Sequence, residues 1–535
     1  MKRFRSALGA MAAAMLVAAC GSDTQTAVIN DSTARGTLVE DPPLRIASLN
    51  AADFGSELGS STTGQQLLQL TGAPTCGVDF YYLKFYTVGA AGEVTMSSGA
   101  LMVPTATAAT AASCSGPRPI VLYAHGTQAD QTFNIADITN TSNTEGAEVA
   151  AMFAAQGYIV VAPNYAGYDI STLGYHPFVN ASQQSGEMID ILAAARTALP
   201  KTFASATTDS GKLFVTGYSE GGFVAMATQQ ALQAAGTPPT AVAPGSGPYA
   251  LEAFGDAIFT SHVDIGSTEF APLITSSYQH AYGNIYSSPT DVYSSTYPNA
   301  ATLLPSTTPI ATLYSDGDLP ELALFDSTPP NSTSYPSVPP EVLGLMAVPT
   351  PNPADPATEV WFSGFGNPYL ITNDYRVSYV GDLAGNPDGS ETTPATYKLP
   401  ATAPTQTLRN ALYKNDMRNG GWVPEEPTLL CGGENDPTVF FATNTQVMEA
   451  YWTAVVPAPA GALNVLDVDP ATPSGPFIAI QQAFQAAEAA TLTELMSTGL
   501  TQAEAEQEAI ASYHTGVAPF CALAARSFFD SVLAQ

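Results

Sequence analysis

Two kinds of apolar pattern run along the chain. Residues 79–88 and 94–103 are rich in aromatic and β-branched side chains and flank a Gly-Ala-Ala-Gly segment at 89–92, which predicts a β-hairpin. Farther on, residues 119–124, 158–162, 212–216 and 241–244 are apolar almost without interruption, with helical stretches around 146–157 and 185–198 between them. Strands without a polar face need cover on both sides. The pattern therefore predicts an α/β architecture with a mostly parallel central sheet and helices on both faces. From about 247 to 404 the alternation lapses into a span dense in Ser, Thr, Pro and Tyr, too long for a plain loop, and an inserted cap or lid subdomain is expected there. Core pattern resumes at 427–431 and 462–468, followed by a helical insert near 476–512 and a final helix at about 519–533.

This reading divides the chain into a signal segment (1–19), a Ser/Thr/Asp-rich tether (20–45), a first core part (46–250), the cap (251–404) and a second core part (405–535). Composition narrows the partners. Among 535 residues, 16 Lys+Arg stand against 47 Asp+Glu, a net charge of -31, so nucleic acid is not an expected partner. Lys2, Arg3 and Arg5 precede an apolar run that ends Leu-Val-Ala-Ala-Cys-Gly at 16–21. That run resembles a bacterial lipoprotein signal, in which Cys20 becomes the lipidated first residue; a plain secretory signal cut near Ala19 is the alternative. Both predict export: lipid-anchored to a membrane of a bacterial cell envelope, at the outer membrane or cell surface, in the first case, and secreted in the second. With no later run of about 18 uncharged apolar residues, membrane contact is expected through the lipid anchor alone. In an oxidising compartment the remaining Cys76, Cys114, Cys431 and Cys521 predict two disulfides, for which three pairings exist. With neither CxxC nor a His/Cys cluster, no metal site is expected.

The chemistry centres on Gly-Tyr-Ser-Glu-Gly-Gly at 217–222, between the strand at 212–216 and an Ala-rich helical run. Glycines at 217 and 221 let strand and helix approach closely while Ser219 takes a strained turn that exposes its hydroxyl. A serine hydroxyl is a weak nucleophile until a base takes its proton and an acid orients the base. Of the five histidines, His125 ends the first core strand, His176 lies in a Gly-Tyr-His-Pro turn, and His262 and His280 fall in the cap. His514, expected in a loop after the last strand, is left as the base. The turn after 427–431 offers Asp436, with Glu434 as runner-up, whereas Asp467 and Asp469 follow the next strand. Backbone N–H groups of Glu220 and, from the loop after the first core strand, Thr127 are the candidates to hold an oxyanion.

The order Ser219, Asp436, His514 is that of the α/β-hydrolases. With Tyr-Ala-His-Gly-Thr at 123–127, Gln-Gly-Tyr-Ile-Val-Val-Ala-Pro-Asn-Tyr at 156–165, the His176-Pro-Phe turn, Asp190 and Arg196 on the following helix, and Gly-Glu-Asn-Asp-Pro-Thr-Val at 433–439, the chain resembles secretory lipases and related bacterial carboxylesterases. The resemblance covers roughly 75–250 and 405–535. It implies a Ser219/Asp436/His514 triad, an oxyanion hole from Thr127 and Glu220, and cofactor-free cleavage of small-molecule or lipid esters. Pairing Cys431 with Cys521 would then brace acid and base, which leaves Cys76 with Cys114. A serine peptidase on the same fold, or a surface binding lipoprotein with a vestigial site, are the alternatives.

Overall fold

The computed structural model describes residues 34–535 apart from 140–143, 205, 353–356, 389–399 and 402. Cys20 and the signal segment lie outside the described residues. The described core is a nine-stranded sheet in the order β1-β2-β3-β5-β4-β6-β7-β8-β9. Its strands are β1 (Leu44–Leu49), β2 (Gly77–Val88), β3 (Val94–Thr105), β4 (Gly116–Ala124), β5 (Ile159–Pro163), β6 (Thr207–Tyr218), β7 (Ala241–Gly245), β8 (Thr428–Gly432) and β9 (Leu463–Asp467). Pairings from β5 through β9 are parallel, while β1, β2 and β3 form an antiparallel edge. The uninterrupted apolar runs are the central strands: Val121, Leu122, Val160, Val161, Phe214 and Val215 are fully buried.

Helices Ala181–Ala198 and Glu220–Ala234 pack on each other and on one face of the sheet. The long helix Gln502–Leu533 packs with Glu145–Met152 and lies along β6, β7 and β8. By length and apolar composition alone that long helix could cross a membrane; Val517, Cys521, Ala525 and Phe529 bury one of its faces against the core. Between β7 and β8 the chain makes an excursion that carries helices Leu251–Phe259, Ser267–Tyr282 and Asn373–Gly385. Helix Thr407–Asn415 packs against the first two of these, so the excursion runs past the expected boundary at 404. Arg409, fully buried, ties it there through Glu252, Asp256 and Asp382.

The stretch read as tether is not free along its whole length. Gly36 N–H donates to Tyr86 O and Val39 N–H to Lys84 O, both at 2.8 Å, and Arg35 pairs with Asp190. Residues 35–39 thus continue the sheet edge beyond β1. Composition alone reads such polar residues as linker because what orders them is a strand edge distant in sequence.

Candidate active site

Ser219 follows the last residue of β6 and caps the helix Glu220–Ala234, with φ 59° and ψ -125°. That region is strained for any residue with a Cβ, and the surroundings must hold it there. They do so in two ways. Ser219 N–H donates to Gly245 O of β7 at 3.0 Å. A Cβ at Gly221 would lie 2.0 Å from Ala124 O, and one at Gly217 would lie 2.4 Å from Gly221 O. Only glycine at both positions lets the helix start this close to the ends of β4 and β6. The Glu220 N–H is one of the unpaired donors of the first helical turn, at the positive end of the helix.

Asp436 lies in the turn after β8, buried, with Thr438 N–H and Val439 N–H donating to its Oδ1 at 2.9 and 3.0 Å. Its Oδ2 accepts from His514 Nδ1 at 2.6 Å. Because a carboxylate only accepts, the proton sits on Nδ1 and Nε2 keeps its lone pair. Nε2 is buried and has no hydrogen-bond partner among the described residues; His514 and Ser219 line one cleft. Tyr218 OH, next to the serine, donates to the His514 carbonyl at 2.6 Å, and the Cys431–Cys521 bridge joins the end of β8 to the same helix. Cys521 follows His514 by roughly two helical turns, so both lie on one helix face. The second bridge joins Cys76 and Cys114.

The loop after β4 is pinned from two sides. Glu145 accepts from Tyr123 OH at 2.8 Å and from Gly126 N–H at 3.1 Å, and His125 Nδ1 donates to Gly126 O at 2.6 Å. In a trans peptide the N–H points opposite to the C=O, so the Thr127 N–H is turned away from the His125 ring. Thr127 and Ser219 border two cavities. One, about 880 Å³ including its open mouth, runs under the excursion and is lined by Phe178, Leu251, Phe254, Phe270, Ile274 and Leu412 among others. The other, wider and more polar, holds His514 with Tyr123, Glu145, Glu148 and Glu269.

A serine at a strained strand-to-helix turn, an acid after a strand two places along, and a histidine held by that acid are the parts of one architecture. The chain has the α/β-hydrolase fold. Solved structures agree: the rice cell wall degrading esterase LipA from Xanthomonas oryzae is 23% identical with a TM-score of 0.59, over 82% of this chain and 92% of that one. A putative hydrolase from Legionella pneumophila is 17% identical with a TM-score of 0.58, over 93% and 98%. The model of the prolyl oligopeptidase family matches residues 146–243, the α/β-hydrolase segment around Ser219. No curated protein matches significantly.

The structure departs from expectation at the histidine. His514 is not in a loop but inside the single helix Gln502–Leu533, which runs on through Gly516 and Pro519. The expected insert at 476–512 is the helix Ile478–Ser497, a break at Gly499 (φ 101°) and the first turns of this long helix, capped by Thr501 and Glu504. Proline removes one helical bond, and burial of Val517, Phe520, Ala524 and Phe529 outweighs it. Glu434 is exposed, and its N–H donates to Asp467 at 3.0 Å. Asp469 accepts from Asn435 and from Tyr513, so the late acids hold the turn rather than the imidazole. His262 meets Trp361 edge to face and His280 stacks on Tyr175, and neither contact involves Ser219.

One support of the α/β-hydrolase elbow escaped the sequence reading. Glu220 is 2% exposed, and its Oε1 meets His176 Nε2 at 2.7 Å and Gln184 Nε2 at 2.6 Å, while His176 Nδ1 bonds Ala166 O. A charged residue placed directly after the elbow serine is a signal for such partners, since it must be buried to start the helix.

Proposed function

We propose that the protein is an exported serine hydrolase that cleaves carboxylic esters through an acyl-enzyme. The observation that carries this reading is the 2.6 Å bond from Asp436 to His514 Nδ1, which leaves Nε2 free in the cleft that Ser219 lines. Ser219 attacks the ester carbonyl while His514 Nε2 takes its proton, and Asp436 stabilises the imidazolium. The N–H groups of Thr127 and Glu220 receive the developing oxyanion; loss of one such donor typically costs about 10²–10³ in turnover. His514 then passes the proton to the leaving alcohol, and water repeats the sequence to free the acid. The base must lie beside the leaving oxygen, so the alcohol occupies the polar cleft with His514 and the acyl chain the apolar cavity under the cap. The two disulfides and the kinship in fold with an esterase favour an exported ester hydrolase, and Cys20 is its lipid attachment point.

A fluorophosphonate probe and a series of p-nitrophenyl acyl esters test the reading. Wild-type protein labels at Ser219 and turns over the esters; Ser219→Ala loses both while its thermal unfolding is unchanged. Retained turnover in that variant would move the nucleophile elsewhere. The match to the prolyl oligopeptidase model supports peptide cleavage as a second reading. Exclusive cleavage of aminoacyl-naphthylamides over the acyl esters would establish it instead. Mass spectrometry of the mature N-terminus checks the anchor: an unmodified Cys20, or any later residue, as first residue refutes lipidation.

A further inference from the structure

The cavity under the cap is mostly apolar, and away from the elbow residues Thr127, Ser219 and Glu220 it holds one carboxyl group. Asp264 lines it, is 5% exposed, and has a single side-chain partner: Ser267 Oγ donates to its Oδ1, while Oδ2 is buried with no hydrogen-bond partner among the described residues. A buried carboxyl oxygen left unpaired among apolar side chains is costly, and such sites persist where a ligand completes them. Its position is informative. Ile265 N–H donates to Pro437 O at 3.1 Å, so the segment is joined to the turn that carries Asp436. Residues 265 and 266 line the polar cleft and residues 264 and 267 the apolar cavity, so Asp264 stands where the two meet. Val292, Leu324, Ile371 and Leu408 are the carboxyl-free lining of the same cavity.

We propose that Asp264 is a specificity-determining residue that recognises a hydroxyl on the acyl chain close to the ester carbonyl, so that the preferred substrates are esters of hydroxyalkanoic acids. The inference rests on the ester-hydrolase reading and deepens it. Burial in the cavity lifts the Asp264 carboxyl to about 7, which lets it donate its own proton to the substrate hydroxyl as well as accept from it. A plain alkanoyl chain in the same cavity leaves Oδ2 unpaired. That difference is the source of selection.

The test compares p-nitrophenyl 3-hydroxyoctanoate with p-nitrophenyl octanoate, read as the ratio of their kcat/KM values. The same leaving group and chain length keep every other contact constant. Wild-type protein is expected to favour the hydroxyacyl ester by roughly tenfold to a hundredfold, the range for one buried hydrogen bond to a ligand. Asp264→Leu should bring the ratio to about one, and Asp264→Asn, which still donates and accepts, should restore most of it. Fluorophosphonate labelling of Ser219 and thermal unfolding report whether each variant is folded; if Asp264→Leu is not, the wild-type ratio and the Ser267→Ala ratio decide. A ratio near one in wild type, or a hydroxyacyl preference undiminished in Asp264→Leu, overturns the proposal. Absence of labelling and of turnover on both esters in wild type would instead strike the hydrolase reading beneath it.

Discussion

Replacing Asp436 by Asn tests the acid-base pair most sharply, because the surroundings dictate which way the amide must face. Oδ1 accepts from two backbone N–H groups, those of Thr438 and Val439, and Oδ2 faces His514 Nδ1. An asparagine that keeps its oxygen on the two N–H donors turns its NH₂ toward Nδ1. The ring must then accept at Nδ1 and carry its proton on Nε2, where it can no longer take one from Ser219. The opposite orientation restores the useful tautomer but points NH₂ at two donors. Leaving those two buried groups unpaired costs about 1–3 kcal/mol each. The competent orientation is therefore rarer by about 2–6 kcal/mol, and kcat should fall by about 10²–10⁴, comparable to the loss known for a serine protease with this change. The assay is steady-state hydrolysis of a short p-nitrophenyl ester, with thermal unfolding as the control for an intact fold. A folded Asp436→Asn protein within about tenfold of wild-type kcat would refute the orientation argument, and with it the pairing of Asp436 and His514 as acid and base.

Removing the Cys431–Cys521 bridge by double Ser substitution should lower stability by about 2–5 kcal/mol, as expected for a long closed loop, and depress kcat as well; removing Cys76–Cys114 should lower stability with little effect on kcat per folded molecule. Denaturant melts with parallel ester assays separate the two cases. Gly221→Ala would bring a Cβ to 2.0 Å from Ala124 O and should destabilise by about 3 kcal/mol or more, with loss of Ser219 labelling; a variant with wild-type melting would contradict the elbow geometry. Stability should also fall as pH rises between about 4 and 7. Burial lifts Asp264 to about 7 and Glu187 upward from the usual carboxylate range, so the folded state holds protons that the unfolded chain has released. Chemical denaturation at stepped pH measures this slope, and Asp264→Asn should flatten it; an unchanged slope in that variant would remove Asp264 as a contributor.

Much of this architecture is legible in the sequence because it depends on local rules. The central strands are apolar on both faces, and the glycines flanking Ser219 mark a turn that only glycine permits. Asp436 follows a buried strand directly, so strand prediction alone delivers it to the sheet's edge. What was not legible depends on contacts remote in sequence. The helix that carries His514 continues through Gly516 and Pro519 because its apolar face packs on β6, β7 and β8. Residues 35–39 are ordered by β2, which lies some forty residues farther on. Asp264 carries no sequence signal of its own: one carboxylate among several in the span, with Asp256 and Glu269 close by, becomes notable only when the apolar walls around it are known. The support under Ser219 is intermediate. Glu220 invites a partner by its position, but His176 could not be assigned to it without the fold.

His514, the proposed base, is mounted partway along an uninterrupted helix, and that differs in behaviour from a position on a loop. The same rod that holds the imidazole is fastened at its far end, where Arg526 donates to Met152 O and Thr71 O and Tyr158 OH donates to Asp530. The ring cannot slide toward an arriving substrate without dragging its whole scaffold. In the proposed mechanism, whatever final tightening the encounter requires must come from the opposite shore, through rotation of the Ser219 hydroxyl and settling of the roof over the substrate.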